Sequence, residues 1–242
     1  MSQQDFEIIA AEESPLGMII LRQRQLTPDP QDWVTEITLE HQFLMSSLVT
    51  ASERALSSVA IQWHGGVDLR VLVGGLGLGY TADEALASDR VGHVEVVELL
   101  SPVIGWMRDG LIPKSQAIRD AMGPGGRLEI RQGDVYADLR QPSDVKYDLI
   151  LIDVDHAPDS ALGEPNDAFH SVQGVALARE HLSPGGVLAV WSYAPSDTFV
   201  DALGAVFGEV ETRTIDFFNP VADAAETNWI FLARGHAPAA GA

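Results

Sequence analysis

The sequence predicts an α/β fold with a mostly parallel, doubly wound sheet, preceded by a small antiparallel β element. From residue 69 onward, short apolar runs alternate with helical stretches, which is typical of a parallel sheet covered by helices. Several of these runs are almost wholly apolar, as strands buried on both faces are. They are residues 69–73, 149–152, 187–191 and 229–233. A glycine-rich turn joins the first of them to a helix, so the fold is predicted to be Rossmann-like.

The first part of the chain carries three strand-like runs with turn residues between them. The runs are Phe6–Ala10, Met18–Arg24 and Trp33–Leu39. Their alternation of β-branched residues and their Pro- and Gly-containing turns predict an antiparallel meander. Apolar residues then recur at helical spacing over residues 43–61, which predicts a helix.

The remainder divides into strands and helices in alternation. The predicted strands are Leu69–Val73, His93–Glu98, Arg127–Arg131, Leu149–Asp153, Val187–Ser192, Glu209–Ile215 and Trp229–Ala233. The predicted helices are 80–88, 102–122 with a break near Pro113, 135–140, 168–182 and 197–206. We therefore expect an N-terminal antiparallel β element over 1–42, a Rossmann-like catalytic domain over 43–234, and a disordered tail over 235–242.

Charge and composition restrict the partners. The chain has 35 acidic residues against 15 Lys and Arg, a formal net charge of −20. Such a surface repels phosphate backbones, which argues against nucleic acid. It would attract a small cationic partner such as a polyamine, and the alternative is that the charge serves only solubility. There is no cysteine, so disulfides and thiolate catalysis are excluded. The histidines are scattered without a metal-binding motif, so no metal is predicted.

No apolar stretch approaches the ~18 residues of a membrane span. The N-terminal residues carry no basic segment followed by an apolar run, as a secretory signal would. We therefore expect a cytoplasmic protein without a membrane partner.

Residues 74–80 read Gly-Gly-Leu-Gly-Leu-Gly-Tyr and link the first strand of the domain to a helix. Glycines there allow a tight turn and let a ligand approach the backbone. The spacing is not that of a dinucleotide loop, and no Gly-Lys-Ser/Thr follows as in a phosphate-binding P-loop. The residues expected to surround a nucleoside are Gly74, Gly75, Gly77, Gly79 and Tyr80.

Two acids follow the next strands. Glu98 ends the second strand of the domain, where a carboxylate accepts hydrogen bonds from both hydroxyls of an adenosine ribose. We expect its loss to abolish nucleoside binding with little effect on folding. Asp134 follows the third strand in a Gly-Asp turn and is a candidate acceptor for the adenine amine. A solvated strand-end charge and an ordinary turn remain the alternatives.

A third acidic segment follows the fourth strand. Asp153 lies at its C-terminal end, near the switch point where open α/β sheets bind ligands. Asp155 and His156 follow two and three residues later, and the three side chains are candidates for a cation-binding, proton-accepting catalytic cluster. A solvated loop histidine is the alternative for His156. Helix capping or turn formation remains the alternative for Asp153.

Taken in this order, the glycine turn, Glu98, the Gly133-Asp134 turn and the strand ending in Asp153 resemble the spermidine synthase branch of the class I S-adenosylmethionine-dependent methyltransferase fold. The resemblance covers about residues 30–215. It implies that decarboxylated S-adenosylmethionine donates an aminopropyl group to an amine, and that the protein is a dimer. It also implies that Glu98 holds the ribose, that Asp134 holds the adenine, and that Asp153 orients and deprotonates the attacking amine.

The sequence departs from that family in its polar residues. An Asp that usually holds the donor amine inside the glycine loop is replaced by Gly77 or Leu78, and the run after the fourth strand reads Asp-Val-Asp-His-Ala-Pro. A loop without that Asp is better suited to ordinary S-adenosylmethionine. Three functions therefore stay open: aminopropyl transfer, methyl transfer to a small molecule, and nucleoside binding without catalysis.

Overall fold

The computed structural model describes residues 6–26, 33–154, 158 and 168–235. These residues form two sheets, one of four strands and one of seven, with helices packed on the larger. The predicted α/β architecture with a small N-terminal antiparallel element is confirmed. None of the helices within these residues is long and apolar enough to cross a membrane.

The N-terminal sheet is an antiparallel meander in chain order. Its strands are β1 (Phe6–Ser14), β2 (Gly17–Gln25), β3 (Trp33–Leu39) and β4 (Gln42–Ser46). The first three were predicted from the sequence. The fourth lies in the stretch predicted to be helical, and the helix α1 (Ala51–His64) begins later than residue 43.

The reason for this difference is the turn between β3 and β4. Glu40 and His41 both have positive φ, 48° and 68°, so the chain reverses and residues 42–46 pair with β3. Leu44 also fits a helical spacing, and periodicity alone does not separate a short apolar strand from the start of a helix.

The larger sheet has the strand order β10-β11-β9-β8-β5-β6-β7. Its strands are β5 (Leu69–Gly74), β6 (Val91–Glu98), β7 (Leu128–Gln132), β8 (Tyr147–Ile152), β9 (Leu182–Ser192), β10 (Glu209–Asn219) and β11 (Ala224–Arg234). Strands β5 to β9 are parallel, whereas β11 is antiparallel to both of its neighbours. The strand order reverses between β5 and β8, which opens a crevice at their carboxyl ends.

Seven helices surround this sheet in the described part of the chain. After α1 they are α2 (Tyr80–Ala87), α3 (Ser101–Asp109), α4 (Gln116–Ala121), α5 (Val135–Leu139), α6 (Val172–Arg179) and α7 (Asp197–Val206). Helix α6 is shorter than predicted because Ser171 caps its first turn, accepting a hydrogen bond from Gly174 N at 3.1 Å. The centre of the sheet is fully buried, with Leu149–Ile152 at 0% exposure.

Candidate functional site

A cavity of about 260 Å³ lies at the carboxyl ends of β5, β6, β7 and β8. The N-terminal sheet closes it on the opposite side. Its wall from that sheet consists of Leu16, Ile37, Leu39, Leu44 and Met45. Met45 also reaches the glycine loop, because its Sδ accepts a hydrogen bond from Leu78 N at 2.9 Å. The crevice predicted at the strand switch point is thus roofed by the N-terminal sheet.

The loop between β5 and α2 forms the floor of the cavity through Gly75, Leu76 and Gly77. Gly75 has φ +97°, and a Cβ there would lie 2.1 Å from the backbone oxygen of Asp153. The close passage of the loop beside the end of β8 therefore requires glycine. The predicted contacts Gly74 and Gly79 do not reach the wall: Gly74 ends β5, and Gly79 precedes α2 with φ +90°.

Glu98 lies in the wall and is 7% exposed. Its Oε2 accepts a hydrogen bond from Leu76 N at 2.8 Å, and its Oε1 accepts one from Leu100 N at 2.7 Å. Burial raises the pKa of this carboxyl, and the backbone amides offset that rise only in part. Glu98 therefore fixes the glycine loop to the end of β6. This structural role was not predicted from the sequence.

Asp134 also lies in the wall, as the residue before α5. Its Oδ1 accepts hydrogen bonds from Tyr136 N at 2.9 Å and from Ala137 N at 3.1 Å. Asp134 therefore caps the N-terminus of α5, which agrees with the turn role that the sequence left as the alternative. The adenine contact stays a prediction.

Asp153 follows β8 directly and reaches the cavity beside the glycine loop. Its Oδ2 accepts a short hydrogen bond from the hydroxyl of Thr81, in the first turn of α2. Asp155 and His156, the other members of the predicted catalytic cluster, lie outside the described residues.

Tyr80 faces a different space. It lines a second cavity of about 230 Å³, between the N-terminal sheet and the segment at Ile112. Its hydroxyl is hydrogen-bonded to Ser47, and the guanidinium of Arg54 lies 5.1 Å from its ring centre. The structure does not place Tyr80 in the wall of the main cavity with the other predicted nucleoside contacts.

Glu53 is a site residue that the sequence analysis missed. It belongs to the first turn of α1 and lines the cavity next to the glycine loop. Thr50 and Glu53 have the S/T-x-x-E spacing of a helix capping box, which would make the acid structural. Thr50 makes no side-chain capping bond, however, and the carboxylate of Glu53 instead accepts from Ser52 Oγ at 2.9 Å.

Trp191 is a second residue that was missed. It stands near the end of β9 in the cavity wall, and its buried Nε1 has no hydrogen-bond partner among the described residues. A buried N–H without an acceptor is unfavourable by about 1–3 kcal/mol. Because this N–H exposes almost no surface, an acceptor atom on a bound ligand would satisfy it only if the indole turned as the ligand bound. No sequence motif marks this residue, because a tryptophan at a strand end is ordinarily core.

We expect Trp191→Phe to weaken binding of a ligand in this cavity about three- to tenfold, the worth of one neutral hydrogen bond. The free energy of unfolding should change little, because removal of the unpaired N–H stabilises the protein while the smaller phenylalanine ring loses packing. Titration calorimetry and chemical denaturation measure the two effects.

Trp106→Phe is the matched control. Trp106 Nε1 donates to Glu12 Oε1 at 2.6 Å, and Trp106 does not line the cavity, so that variant should lose stability and keep its ligand affinity. Unchanged affinity in Trp191→Phe would exclude the indole N–H as a ligand contact.

The electrostatic character of the cavity is negative. Its described wall contains four carboxylates, and no Lys or Arg is among the described residues that line it. These carboxylates belong to Glu53, Glu98, Asp134 and Asp153. The rest of the wall is largely apolar, which strengthens the field that the acids produce. Such a cavity favours a ligand that carries positive charge.

Solved structures with the same arrangement of strands and helices are spermidine synthases and class I methyltransferases. The spermidine synthase from Thermotoga maritima matches with a TM-score of 0.70 and 20% identity, over 96% of this chain and 74% of that one. A spermidine synthase in complex with the transition state analogue AdoDATO matches with a TM-score of 0.69 and 19% identity, over 96% and 73%. Human methyltransferase-like protein 13 in complex with SAH matches with a TM-score of 0.51 and 20% identity, over 79% and 82%.

No protein-family model matches the chain. The structural matches extend over nearly its whole length, including the N-terminal sheet in the spermidine synthases, and they confirm the fold that the sequence motifs predicted. The chain therefore has the α/β fold of these solved structures, with a small antiparallel sheet at its N-terminal end.

Proposed function

We propose that this protein is a transferase that uses an S-adenosylmethionine-type sulfonium donor, and that it moves an aminopropyl group to an amine acceptor. The observation that carries the proposal is the acidic cavity. Both substrates of this reaction are cations, a sulfonium and an amine, and four carboxylates line the described wall without a Lys or Arg among them. The fold match to spermidine synthases supports the same reading.

Each end of the cavity suits one part of the donor. Glu98 and Asp134, at the ends of β6 and β7, are the groups proposed to bind the ribose and the adenine. Gly75 and Gly77 let the loop backbone pass close to Asp153 and Met45, and both residues line the cavity where the donor would lie. Asp153 stands at the other end, where the reacting carbon and the acceptor amine would meet.

The proposed chemistry needs no covalent intermediate on the protein. The neutral acceptor nitrogen attacks the aminopropyl carbon bound to sulfur, a C–N bond forms as the C–S bond breaks, and the bonding pair leaves with sulfur as a neutral thioether. Before the attack, Asp153 aligns the acceptor nitrogen and accepts its proton, because a free alkylamine with a pKa of about 10.4 is almost wholly protonated at neutral pH. The attack then moves the positive charge from the sulfonium to the nitrogen of the product. Positioning supplies much of the remaining rate.

Asp153→Asn is expected to lower turnover at least about a hundredfold while donor affinity changes little, since a positioned base contributes that much to a proton transfer. Asparagine keeps an oxygen that accepts from Thr81, so the fold is preserved. The matched control is Asp148→Asn. Asp148 lies near the opposite end of the same strand, where it accepts from Arg70 N at 2.9 Å, and its replacement should leave turnover unchanged. Equal activity of both variants would remove Asp153 from the mechanism.

Methyl transfer from ordinary S-adenosylmethionine is the second candidate. The observation that favours it is the glycine loop: residues 74–80 bear no acidic side chain that would hold a donor amine. The fold match to human methyltransferase-like protein 13 is compatible with it. A nucleoside-binding protein without catalytic activity remains the third candidate.

Titration calorimetry with three ligands separates these functions. Tighter binding of decarboxylated S-adenosylmethionine than of the parent compound is expected, and a product assay with putrescine or another diamine should then show transfer. Tighter binding of the parent would assign the protein to the methyltransferases. Binding of 5′-methylthioadenosine without turnover of either donor would leave a nucleoside-binding protein, and no binding of any ligand would refute all three functions.

A homodimer and a cytoplasmic location complete the proposal. The N-terminal sheet exposes large apolar side chains that a second copy would cover, namely Phe6, Ile8, Leu16 and Phe43. Sedimentation of the purified chain tests the dimer. The cytoplasmic location rests on the sequence expectation.

A further inference from the structure

We propose that Glu53 binds the ammonium group of the sulfonium donor, and so gives the site its preference for a donor with a free amine and no carboxylate beside it. This inference rests on the proposed function. It assigns a role to a residue of α1, which lies outside the glycine loop and outside the strand ends of the large sheet.

The location of Glu53 supports this role. It lines the cavity together with Gly77 and Asp153, and Asp153 follows β8, which lies two strands away from β6 and its terminal Glu98. Thr81 connects the two acids: its Oγ1 lies 3.1 Å from the backbone oxygen of Glu53 and makes the short hydrogen bond to the carboxylate of Asp153. Glu53 and Asp153 therefore stand side by side where the aminopropyl group would extend from the sulfur.

The other carboxylates of the wall are already engaged by the protein. Both oxygens of Glu98 accept backbone amides, and Asp134 caps α5. Asp153 accepts the hydroxyl of Thr81. Glu53 differs, because its hydrogen bonds come from its own turn of α1: its Oε2 accepts from Ser52 Oγ, and its carboxyl is also hydrogen-bonded to its own backbone N–H.

The carboxylate of Glu53 is also held in place. Asn228 Nδ2, on β11, donates to Ser52 Oγ at 2.9 Å, and Ser52 Oγ in turn donates to Glu53 Oε2 at 2.9 Å. A side chain fixed by such a relay loses less entropy when it binds a ligand than a free one does. The relay thus holds the Glu53 carboxylate in one position at the cavity wall.

Within the part of the chain that the structure describes, no Lys or Arg forms an ion pair with Glu53. The neighbouring Arg54 points to α2, where its Nη1 lies 3.1 Å from Asp83 Oδ2 and 3.3 Å from Glu84 Oε2. Burial raises the pKa of the Glu53 carboxyl, although the hydrogen bonds from its own backbone N–H and from Ser52, and the charge of Arg54, each lower it. A ligand ammonium would supply the missing counter-charge and favour the ionised carboxylate. A ligand carboxylate at the same place would be repelled by Glu53 and Asp153 together.

The test compares Glu53→Gln with wild type by calorimetry, using two ligands that share the nucleoside and differ in the amine. We expect decarboxylated S-adenosylmethionine to bind the variant at least about tenfold more weakly, as expected when a charge-assisted hydrogen bond is lost. Binding of 5′-methylthioadenosine, which has no amine, should change by less than about twofold. The preference for the decarboxylated donor over the parent compound should fall in the same variant.

Two further variants define the outcome. Glu84→Gln removes a carboxylate that also contacts Arg54 but does not line the cavity, and should bind both ligands as wild type does. Glu53→Asp keeps the charge and should recover part of the lost affinity, and it serves as the test if Glu53→Gln does not fold. Equal weakening of both ligands, or of neither, would overturn the role of Glu53 while leaving the proposed function intact. Failure of wild type to bind either ligand would refute the proposed function and this inference with it.

Discussion

Gly75→Ala is expected to abolish nucleoside binding and to destabilise the protein by roughly 2–5 kcal/mol. One part of that loss is backbone strain, because alanine at φ +97° is unfavourable by about 1–2 kcal/mol. The other part is steric, since the new Cβ would lie 2.1 Å from the backbone oxygen of Asp153. Overpacking of this kind is unfavourable by about 1–3 kcal/mol. Both the end of β8 and the floor of the cavity must move.

The control for this variant is Gly185→Ala. Gly185 has φ +84°, and a Cβ there would meet no atom within 4 Å. Alanine at this position therefore introduces backbone strain without a steric clash. We expect the free energy of unfolding to fall by about 1–2 kcal/mol and the ligand affinity to stay unchanged. Chemical denaturation and calorimetry on both variants separate the two causes. If the variants proved equally stable, the close contact between the loop and β8 would not be a real constraint.

The sequence predicted the large sheet well because the signals for it are local. Buried parallel strands are continuous apolar runs, so residues 69–73 and 149–152 stand out without any knowledge of their partners. The Gly-rich turn and the acid about 20 residues later follow from the geometry of a strand–helix–strand unit, so Glu98 was found at the end of β6.

Strand β4 was missed for the opposite reason. Its assignment depends on the turn at Glu40 and His41, and no glycine or asparagine marks that positive-φ turn. Leu44 and Met45 consequently looked like part of the following helix, although they form the roof of the cavity.

The site residues that were missed also depend on long-range contacts. Glu53 faces the cavity because Asn228, more than a hundred residues later, holds Ser52 and through it the carboxylate. Locally the same residue reads as half of a capping box. Trp191 is distinguished only by an unsatisfied N–H, which a sequence does not record. Tyr80 is the opposite case. It belongs to the predicted nucleoside-binding motif, but its side chain lines the second cavity.

Glu98→Gln is expected to reduce nucleoside affinity more than tenfold and also to destabilise the protein. The sequence predicted little effect on folding for loss of this side chain, but the structure gives a different expectation. Glu98 accepts hydrogen bonds from Leu76 N and Leu100 N, and an amide has one acceptor oxygen for the two. Its NH₂ group would face the remaining backbone N–H, and a buried donor without an acceptor is unfavourable by about 1–3 kcal/mol.

Glu129→Gln is the matched control for this variant, because Glu129 is exposed on the neighbouring strand β7 and should change neither stability nor affinity. Thermal and chemical denaturation measure the first quantity, and titration with 5′-methylthioadenosine measures the second. A stable Glu98→Gln variant that binds the nucleoside normally would show that this carboxylate neither fixes the loop nor touches the ligand.

The pH dependence of stability gives an independent check on Glu98. Burial raises the pKa of its carboxyl in the folded protein above the ordinary Glu value of about 4.3. The folded state therefore keeps a proton that the unfolded chain has already released, and the stability linked to that proton is present at low pH and lost as the pH rises through the raised pKa. Glutamine does not titrate, so the stability gap between wild type and Glu98→Gln should narrow as the pH is raised from about 4.3. A gap that widened instead would mean that the hydrogen bonds from backbone N–H groups lower the pKa of Glu98 by more than burial raises it. The loop would then be held by a carboxylate that is ionised throughout this pH range.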